Sequence, residues 1–376
     1  MAYGVALRGT AVRASCGKGN SLNLNSNGLK SVPEFVSRFP NLSVLLLCHN
    51  SISALPTHLQ SLCHVSLLLF LVIFLTNHKN CSIYYFGFIF KLTELNLGNN
   101  ALREFPAVLS HLGSLRKLYL YRNKIDVVSP DAIGHLGNLV VLNLNHNNIQ
   151  RLPPEIGRLR KLQQLSMLDN KLEELPGEVG CLKKLSELNL TFNNLSRLPR
   201  QLYFCRNLIK LYAARNRLTN LPEGITALVK LRVLDVAGNM LSIFPMEFHL
   251  LHLKELYCEE NWLIKLKPVP ILPPPENLSL KELAARFVLL EVRKQFSLIN
   301  LSLPHYPELN DLLSGSSCCT ECNGPFLNTW VECVHFVNLK KDMNLRSSLT
   351  IPVRSLLCSY KCFRAQGPCY YAVERK

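Results

Sequence analysis

The sequence predicts an α/β solenoid, in which a short strand and an outer arc alternate in stacked repeats. Three periodic features indicate it: a recurring asparagine, alternating leucines ahead of each asparagine, and an apolar residue followed by proline between successive asparagines. The asparagines are Asn27, Asn50, Asn100, Asn123, Asn147, Asn170, Asn193, Asn216, Asn239 and Asn261. From Asn100 onward they recur every 22 to 24 residues.

Each periodic residue has a physical role in this prediction. Leu188 and Leu190 alternate as in a short strand and should face inward. Asn193 follows them, and its side-chain amide should bond to the backbone of neighbouring turns. Proline should stop the outer arc from continuing as a strand. Because one repeat cannot bury its own leucines, neighbouring repeats must stack.

This pattern, LPxxLxxLxxL with a period near 23 residues, is the leucine-rich repeat. We predict a leucine-rich repeat horseshoe of about ten repeats over residues 21–266, preceded by an N-terminal extension at residues 1–20. One repeat departs from the pattern, with Val128, Ser129 and Pro130 in place of the usual apolar residue and proline.

The 50-residue gap between Asn50 and Asn100 contains an anomalous insert at residues 65–90. Removing these residues restores a normal 24-residue spacing. The apolar run at 65–75 is 11 residues long, whereas a membrane-spanning helix needs about 20. We interpret the insert as a retained intron, with a genuine loop and a membrane element as the alternatives.

The strand positions that alternate with the leucines should form the concave face, the usual binding surface of such arrays. Tyrosine and arginine are frequent there, and both are frequent interface anchors. The predicted protein-binding residues are Lys117, Tyr119, Tyr121, Arg122, Asn143, Asn145, Gln164, Glu187, Asn189, Phe192, Lys210, Tyr212, Arg215 and Tyr257. Because Glu255, Glu259 and Glu260 lie at the far end, the pattern favours a bipartite protein ligand.

Composition limits the classes of partner and compartment. The chain has 42 Lys and Arg against 26 Asp and Glu, a net charge of +16, and 14 cysteines with no recognisable secretory signal. Basic residues such as Arg158, Arg160 and Lys161 fall on predicted outer arcs without a stripe or interleaved aromatic residues. We therefore predict a reduced monomer of the cytoplasm, and also of the nucleus, that binds neither nucleic acid nor membrane.

A proline-rich linker at residues 267–278 ends the repeats, and a helical segment follows at 279–313. Ser279 is a good N-cap with Glu282 in the capping-box position. One interpretation is a helix that caps the array. In the other, the segment resembles the elongin BC box of cullin–RING ubiquitin ligase receptors. That resemblance implies elongin-binding residues Leu280, Ala284 and Val288, although Ala284 replaces the usual cysteine.

The segment 314–376 is rich in cysteine. Cys319 and Cys322 form a CxxC pair, and Cys358 and Cys362 form a CxxxC pair. Two such pairs can supply the four ligands of a tetrahedral structural zinc ion, and a small module benefits from a metal. Incidental thiols, a redox CxxC, and ligation by Cys333 or His335 remain as alternatives.

The strings LRVLDVAGNMLSIFP, LKELYCEEN, SLKELAARFVL, WVECVHFV and LLCSYKCF resemble the small intracellular leucine-rich repeat proteins with a C-terminal cysteine module. The resemblance implies an intracellular interaction protein, some relatives of which look like ubiquitin ligase substrate receptors. We expect intracellular signalling as its setting. Catalytic signatures of the GxxxxGK[ST], GxGxxG, HExxH and GxSxG kinds are absent from the sequence. We predict a non-enzymatic scaffold that binds a protein ligand on the concave face. The alternative is a substrate receptor of an elongin BC–cullin ubiquitin ligase.

Overall fold

The chain folds into two compact units in a computed structural model. The structure describes residues 2–7, 10–16, 20–39, 42–60, 92–264, 278–294, 297–365 and 370–372. The first unit comprises Met1–Pro222, Ala227–Met240 and His252–Asn261, and the second Glu223–Thr226, Leu241–Leu251 and Trp262–Lys376. The second unit thus includes segments of the predicted repeat array. The predicted insert at residues 65–90 and most of the predicted linker lie outside the described residues.

The first unit is built on one sheet with a three-residue parallel strand in each repeat. Each strand pairs with the next in sequence order, with the central leucines in register. The strands are β3 (Ser21–Asn23), β4 (Val44–Leu46), β5 (Glu94–Asn96), β6 (Lys117–Tyr119), β7 (Val141–Asn143), β8 (Gln164–Ser166), β9 (Glu187–Asn189), β10 (Lys210–Tyr212), β11 (Val233–Asp235) and β12 (Glu255–Tyr257). The predicted leucine-rich repeat solenoid is confirmed.

Leucines of the strands form the core of this unit. Leu188 and Leu190 are fully buried, as the alternation predicts, and the equivalent Leu142, Leu165 and Leu211 are 0–1% exposed. Full burial of a leucine-sized side chain contributes roughly 1.5–3 kcal/mol. Since every repeat supplies several such residues to its neighbours, the stacking is cooperative.

The periodic asparagines connect each repeat to the one before it. The Asn193 side chain accepts a hydrogen bond from the Leu172 N–H at 2.9 Å and donates to the carbonyls of Met167 and Leu190 at 2.9 and 3.0 Å. Asn216 makes the equivalent three contacts one repeat later. The side chain therefore satisfies backbone groups of two repeats at once.

Proline sets the start of the outer arcs. A proline in the extended conformation immediately precedes each of three short 3₁₀ helices. Pro153 precedes Pro154–Arg158, Pro176 precedes Gly177–Cys181, and Pro199 precedes Arg200–Phe204. A fixed proline φ suits this entry into a helical turn.

The repeat with the departing sequence forms an α-helix on its outer arc instead, α1 (Pro130–Gly134). There the Ser129 side chain caps the helix by accepting from the Ala132 N–H.

The N-terminal extension adds two strands to the sheet. β1 (Ala2–Leu7) and β2 (Thr10–Cys16) form an antiparallel hairpin, and β2 pairs antiparallel with β3. The hairpin covers the edge of β3, whose backbone groups would otherwise lie free.

The array is continuous across the 50-residue gap. β4 pairs with β5 in the usual register, with Leu45 opposite Leu95. Asn100 donates to the Leu47 carbonyl at 3.0 Å and accepts from the Ile52 N–H at 3.0 Å. These are the bonds that adjacent repeats make elsewhere, so the repeats on the two sides of the gap stack as neighbours.

The second unit combines helices with small sheets. Its helices are α2 (Leu280–Val292), α3 (Leu298–Ser302), α4 (Pro307–Ser314), α5 (Leu339–Asp342) and α6 (Tyr360–Ala365). Its strands are β13 (Ser317–Cys318), β14 (Pro325–Phe326), β15 (Val331–Asn338), β16 (Thr350–Leu357) and β17 (Tyr370–Ala372). β15 is central to a three-stranded antiparallel sheet. Phe244 joins β16 by an isolated bridge, and Arg354 forms ion pairs with Glu223 and Glu332.

Among the described helices, none combines the length and the hydropathy needed to cross a membrane.

We expect Asn170→Ala to destabilise the array by about 1–3 kcal/mol, because it leaves the buried Ile149 N–H without its acceptor. It also removes one of the two asparagine donors from each of the Leu144 and Met167 carbonyls, which keep Asn147 and Asn193. The measurement is the urea midpoint followed by circular dichroism. Asn138→Ala is the matched control, since this asparagine is exposed and should cost less than about 1 kcal/mol. Equal losses in the two variants would contradict this role of the periodic asparagine.

Candidate functional site

The register of the strands arranges the predicted binding residues in rows across the concave face. One row contains Tyr119, Asn143, Asn189, Tyr212 and Tyr257, together with intervening residues of β8 and β11. Neighbouring strands lie about 4.8 Å apart, so this row is a continuous polar surface in which tyrosine and amide side chains predominate.

A second row pairs its charges within the array. It contains Lys117, Gln164, Glu187 and Lys210. The Lys210 ammonium lies 3.5 Å from the Glu187 carboxylate, and Lys117 lies 3.2 Å from Glu94. These exposed pairs contribute little to stability, and their charges remain accessible to a ligand.

Three predicted asparagines serve the turns that follow the strands. The Asn143 side-chain oxygen accepts a hydrogen bond from the Asn145 N–H at 3.0 Å. The Asn189 side-chain oxygen accepts one from the Thr191 N–H at the same distance, 3.0 Å. Asn145 accepts from the Ser166 hydroxyl at 2.7 Å and from the Leu168 N–H at 2.9 Å. These oxygens are committed to the backbone, so the amide groups of the same side chains are what a ligand meets.

Tyr121 lies against the preceding repeat. A Cβ added to Gly98 would lie 2.3–2.7 Å from the Tyr121 ring, so only glycine leaves room for it. This contact holds the half-buried ring in a defined position on the concave face.

The residue before each periodic asparagine has a left-handed backbone. Arg122, Phe192 and Arg215 have φ of 52°, 56° and 54°. Gly238 occupies the same position without the steric cost that a side chain brings. The Arg215 guanidinium reaches Glu260 at 2.6 Å. The Phe192 ring, in contrast, is 54% exposed.

The second candidate site is a cluster of four cysteines in the second unit. The structure brings together the predicted Cys319, Cys322, Cys358 and Cys362, whose sulfur atoms all lie within 4.8 Å of one another. The Cys322–Cys358 and Cys358–Cys362 Sγ distances are 3.5 and 3.6 Å. These are too long for disulfides and close to the roughly 3.8 Å edge of a tetrahedron with 2.3 Å metal–sulfur bonds. The cluster can hold a metal ion.

Backbone geometry prepares one side of this cluster. Asn323 has a φ of 54°, and the turn closes by hydrogen bonds between the backbones of Cys319 and Gly324 and of Asn323 and Cys319, both at 2.9 Å. The Gly324 N–H points at the Cys322 sulfur at 3.4 Å. Such N–H donors stabilise negative charge on sulfur.

The protonation of the cysteines also suits a metal. Burial raises the pKa of Cys319, but N–H groups of Cys322, Cys358 and Glu321 offset it, and the net pKa is lowered. Burial raises the pKa of Cys358 and Cys362. Without a cation the cluster therefore retains protons, and metal binding must release them.

The alternative ligands lie outside the cluster. Cys333 is fully buried, its thiol faces the Ser355 carbonyl at 3.5 Å, and burial raises its pKa to about 12. The His335 ring contacts the Ser355 hydroxyl at 2.6 Å, and burial and the neighbouring His249 lower its pKa to about 4.

Helix α2 is anchored by a buried carboxylate. Ser279 caps the helix by accepting from the Glu282 N–H. The Glu282 side chain is 0% exposed and accepts from Arg286 Nε at 2.7 Å and from the N–H groups of Leu327 and Asn328 at 3.0 and 2.7 Å. Burial opposes the charge, but these donors outweigh it, and the pKa is lowered.

The three predicted elongin-binding residues do not share one environment. Leu280 is 82% exposed and Ala284 is exposed, whereas Val288 is half-buried against a cluster that contains Ala285 and Leu313. Sequence reasoning missed the apolar stripe that accompanies Leu280. The other members are Leu283, Phe287 and Leu290, which are 50%, 61% and 48% exposed. Their helical spacing of three, seven and ten residues from Leu280 could have shown it.

Comparison with known proteins supports the predicted resemblance. A family model described as leucine rich repeat matches residues 114–172 and 138–195. The chain is 44% identical over 121 residues to leucine-rich repeat-containing protein 69 of Xenopus laevis, covering 32% of this chain and 35% of that protein. It is 38% identical over 136 residues to the protein of that name from Mus musculus, covering 36% and 39%. The matches therefore span little more than a third of these relatives.

Solved structures share the fold. A leucine-rich repeat protein of Leptospira interrogans aligns with a TM-score of 0.54 and 29% identity over 66% of this chain and 55% of that one. The crystal structure of PEPR1–AtPEP1 aligns with a TM-score of 0.50 and 25% identity over 64% and 32%.

We expect Glu282→Gln to destabilise the second unit by about 2–3 kcal/mol at neutral pH, because an amide cannot accept all three hydrogen bonds. Since folding lowers the pKa of this carboxyl from 4.5, its contribution is complete above that pH and is lost as the pH falls through the folded value. The gap between variant and wild type in urea unfolding should narrow below about pH 4.5. Glu308→Gln, at an exposed carboxyl, is the control, and a pH-independent gap would contradict the prediction.

Proposed function

We propose that the protein is a non-enzymatic scaffold of the cytoplasm that binds a protein ligand on the concave face of β6–β12. The leucine-rich repeat fold itself indicates a protein-interaction scaffold. Tyrosine rings, amide groups and accessible ion pairs on this face offer the mixed contacts of a protein interface. Basic Lys117 and Arg122 at one end and acidic Glu255 and Glu259 at the other favour a ligand with both signs of charge.

Phe192 is the observation that carries this proposal. Its backbone is left-handed, a conformation that costs a bulky residue of order 1 kcal/mol or more. Its ring is also 54% exposed, so packing of the ring does not offset this conformational cost. The turn before each periodic asparagine imposes this backbone on the residue that occupies it, so stability alone would favour glycine there. An exposed aromatic side chain at this position, just after β9, is better explained by binding.

We expect Phe192→Gly to keep or raise the stability of the array, by up to about 1 kcal/mol, and to abolish ligand capture. The measurement is affinity purification from cells with mass spectrometry, together with urea unfolding of each variant. Phe204→Ala is the matched control, because this ring is 58% exposed on an outer 3₁₀ helix. If the proteins lost with Phe192→Gly are the same as those lost with Phe204→Ala, the concave face is not the binding surface.

For the cysteine cluster, we propose a structural zinc ion bound by Cys319, Cys322, Cys358 and Cys362. The four thiol groups, the sulfur spacing and the N–H donor from Gly324 fit tetrahedral thiolate ligation. The cluster joins the β13–β14 turn to the segment that follows β16. Bound zinc would hold these elements together beside a small buried cluster that contains Phe326, Cys333 and Leu357.

We expect about one zinc per chain by elemental analysis, and cobalt substitution should give the absorption of a tetrahedral thiolate site. Cys319→Ser should lose the metal, while Cys318→Ser, at an exposed neighbouring thiol outside the cluster, should keep it. Affinity should fall as the pH is lowered, because protons compete for Cys358 and Cys362. Equal zinc content in both variants would refute the site.

The second candidate function is that of an elongin-binding ubiquitin ligase receptor. The exposed stripe of Leu280, Leu283, Phe287 and Leu290 favours it, because such a face is suited to a partner's hydrophobic groove. The half-buried Val288 departs from the elongin BC box, so Leu280 and Ala284 would make the contact with its exposed neighbours.

We expect purified elongin B and C to bind the wild type in a pull-down, and Leu280→Asp to lose that binding without unfolding, because the side chain is 82% exposed. Leu298→Asp, which alters a 79% exposed leucine on α3, is the matched control. If the wild type does not retain elongin, the ligase-receptor function is wrong and only the scaffold function remains.

A further inference from the structure

A row of positive side chains lies along the edge of the first unit's sheet where the strands begin. We call it the basic edge and define it by Arg160, Lys161, Lys183, Lys184, Arg206 and Lys230, all of them exposed. They come from four consecutive repeats, in the residues just before β8, β9, β10 and β11. Arg116 and Arg232 extend the row at its two ends. No acidic residue occurs in the four-residue segments that contain these side chains, which are 160–163, 183–186, 206–209 and 229–232.

The side chains of two asparagines hold two of these lysines in place. The Lys161 ammonium donates to Asn138 Oδ1 at 2.7 Å, and Asn138 donates to the Gly113 carbonyl at 2.8 Å. Lys230 donates to Asn207 at 2.7 Å, and Asn207 in turn donates to the carbonyl of Lys183. Each lysine is thereby linked to the backbone two repeats before it. Such preorganisation reduces the entropy lost on binding.

The positive charges of this row are uncompensated. Within the part of the chain that the structure describes, the ion pairs join no carboxylate to a residue of the basic edge. The opposite edge differs, since Arg151 there lies 3.8 Å from both Glu173 and Glu174. The basic edge therefore presents a field of one sign.

A shallow cavity of about 200 Å³ opens on the basic edge. It is lined by Arg116, Asn138, Val140, Lys161, Gln163 and Lys184. Three cations from different repeats therefore surround one concavity, which is an arrangement suited to a phosphate group.

The dimensions of the row fit a linear polyanion. From Arg116 to Arg232 it crosses six strands, β6 to β11, which is about 24 Å at about 4.8 Å per strand. It presents eight cations over that length, about one per 3 Å, and each strand of duplex DNA carries one phosphate per about 3.4 Å.

Charge dominates the basic edge, which favours a duplex over other partners. Leu162 and Leu185 are fully buried, whereas Ile209 and Val229 are 40% and 63% exposed. Phe204 is exposed nearby, with the Lys183 ammonium 5.1 Å from its ring centroid. Eight cations therefore face these three apolar side chains, whereas lipid interfaces and single strands rely on inserted apolar groups or stacked aromatic rings.

We propose that the basic edge binds the phosphate backbone of a nucleic acid duplex without sequence preference. This activity goes beyond the proposed scaffold function and uses a different surface from the concave face. It also reverses the expectation from sequence that nucleic acid is no partner, which rested on the lack of a stripe. The stripe forms when the repeats stack, because members from different repeats are 20 or more residues apart in sequence.

The test is fluorescence anisotropy of the full chain with a labelled DNA duplex of about 16 base pairs, titrated over a range of salt concentrations. Lys161→Glu combined with Lys184→Glu should weaken binding about tenfold or more and reduce the slope of log K against log salt by about 1.8. Lys171→Glu combined with Arg217→Glu makes the same change of charge at exposed positions beyond the other ends of the strands. That control should lose much less affinity.

Three results would overturn the proposal. One is no binding of the duplex by the wild type at low salt. Another is an equal loss in both double variants, which would show that net charge alone is responsible. The third is that the wild type binds vesicles containing phosphatidylserine, and not the duplex, which would assign the basic edge to a membrane surface.

Discussion

The periodic asparagine is the constraint on which the first unit depends. A three-residue strand makes few ladder bonds, and the turn behind it leaves buried N–H and carbonyl groups without partners. Asn170 and Asn193 satisfy those groups in their own repeat and in the repeat before it. A buried backbone group without a partner costs about 1–3 kcal/mol, so each asparagine makes the stability of one repeat conditional on its neighbour.

This arrangement separates the core from the surface. Leucines and asparagines point into the stack, and the alternating strand residues point out of it. The outward positions can therefore vary without loss of the fold, as the change from Tyr119 to Ser166 to Asp235 along one row shows. The residues of the basic edge and Phe192 are also outward-facing, so their identity is not set by the packing of the repeats.

The second unit achieves order by different means. Two of its buried clusters are small, and polar side chains connect the elements around them. Glu282 fixes α2 to the backbone that follows β14, and Arg354 of β16 is held between Glu223 and Glu332. The four cysteines lie where the β13–β14 turn meets the chain after β16. Local propensity alone would not hold such short elements.

The sequence by itself determined the solenoid, its inward leucines and asparagines, the rows of concave residues, and the four cysteines of one cluster. The features of the solenoid follow from fixed spacing, because the period of a repeat sets the register of its neighbours. The cysteine cluster follows from two closely spaced pairs, each able to supply two ligands. The tertiary structure alone decided which side chains meet across repeats, including the Tyr121–Gly98 contact, the ion pair of Arg215 with Glu260, and the basic edge. It also decided that Glu282 is buried and that Val288 is not exposed beside Leu280. The physical reason is that burial and charge depend on neighbours distant in sequence, which no local pattern specifies.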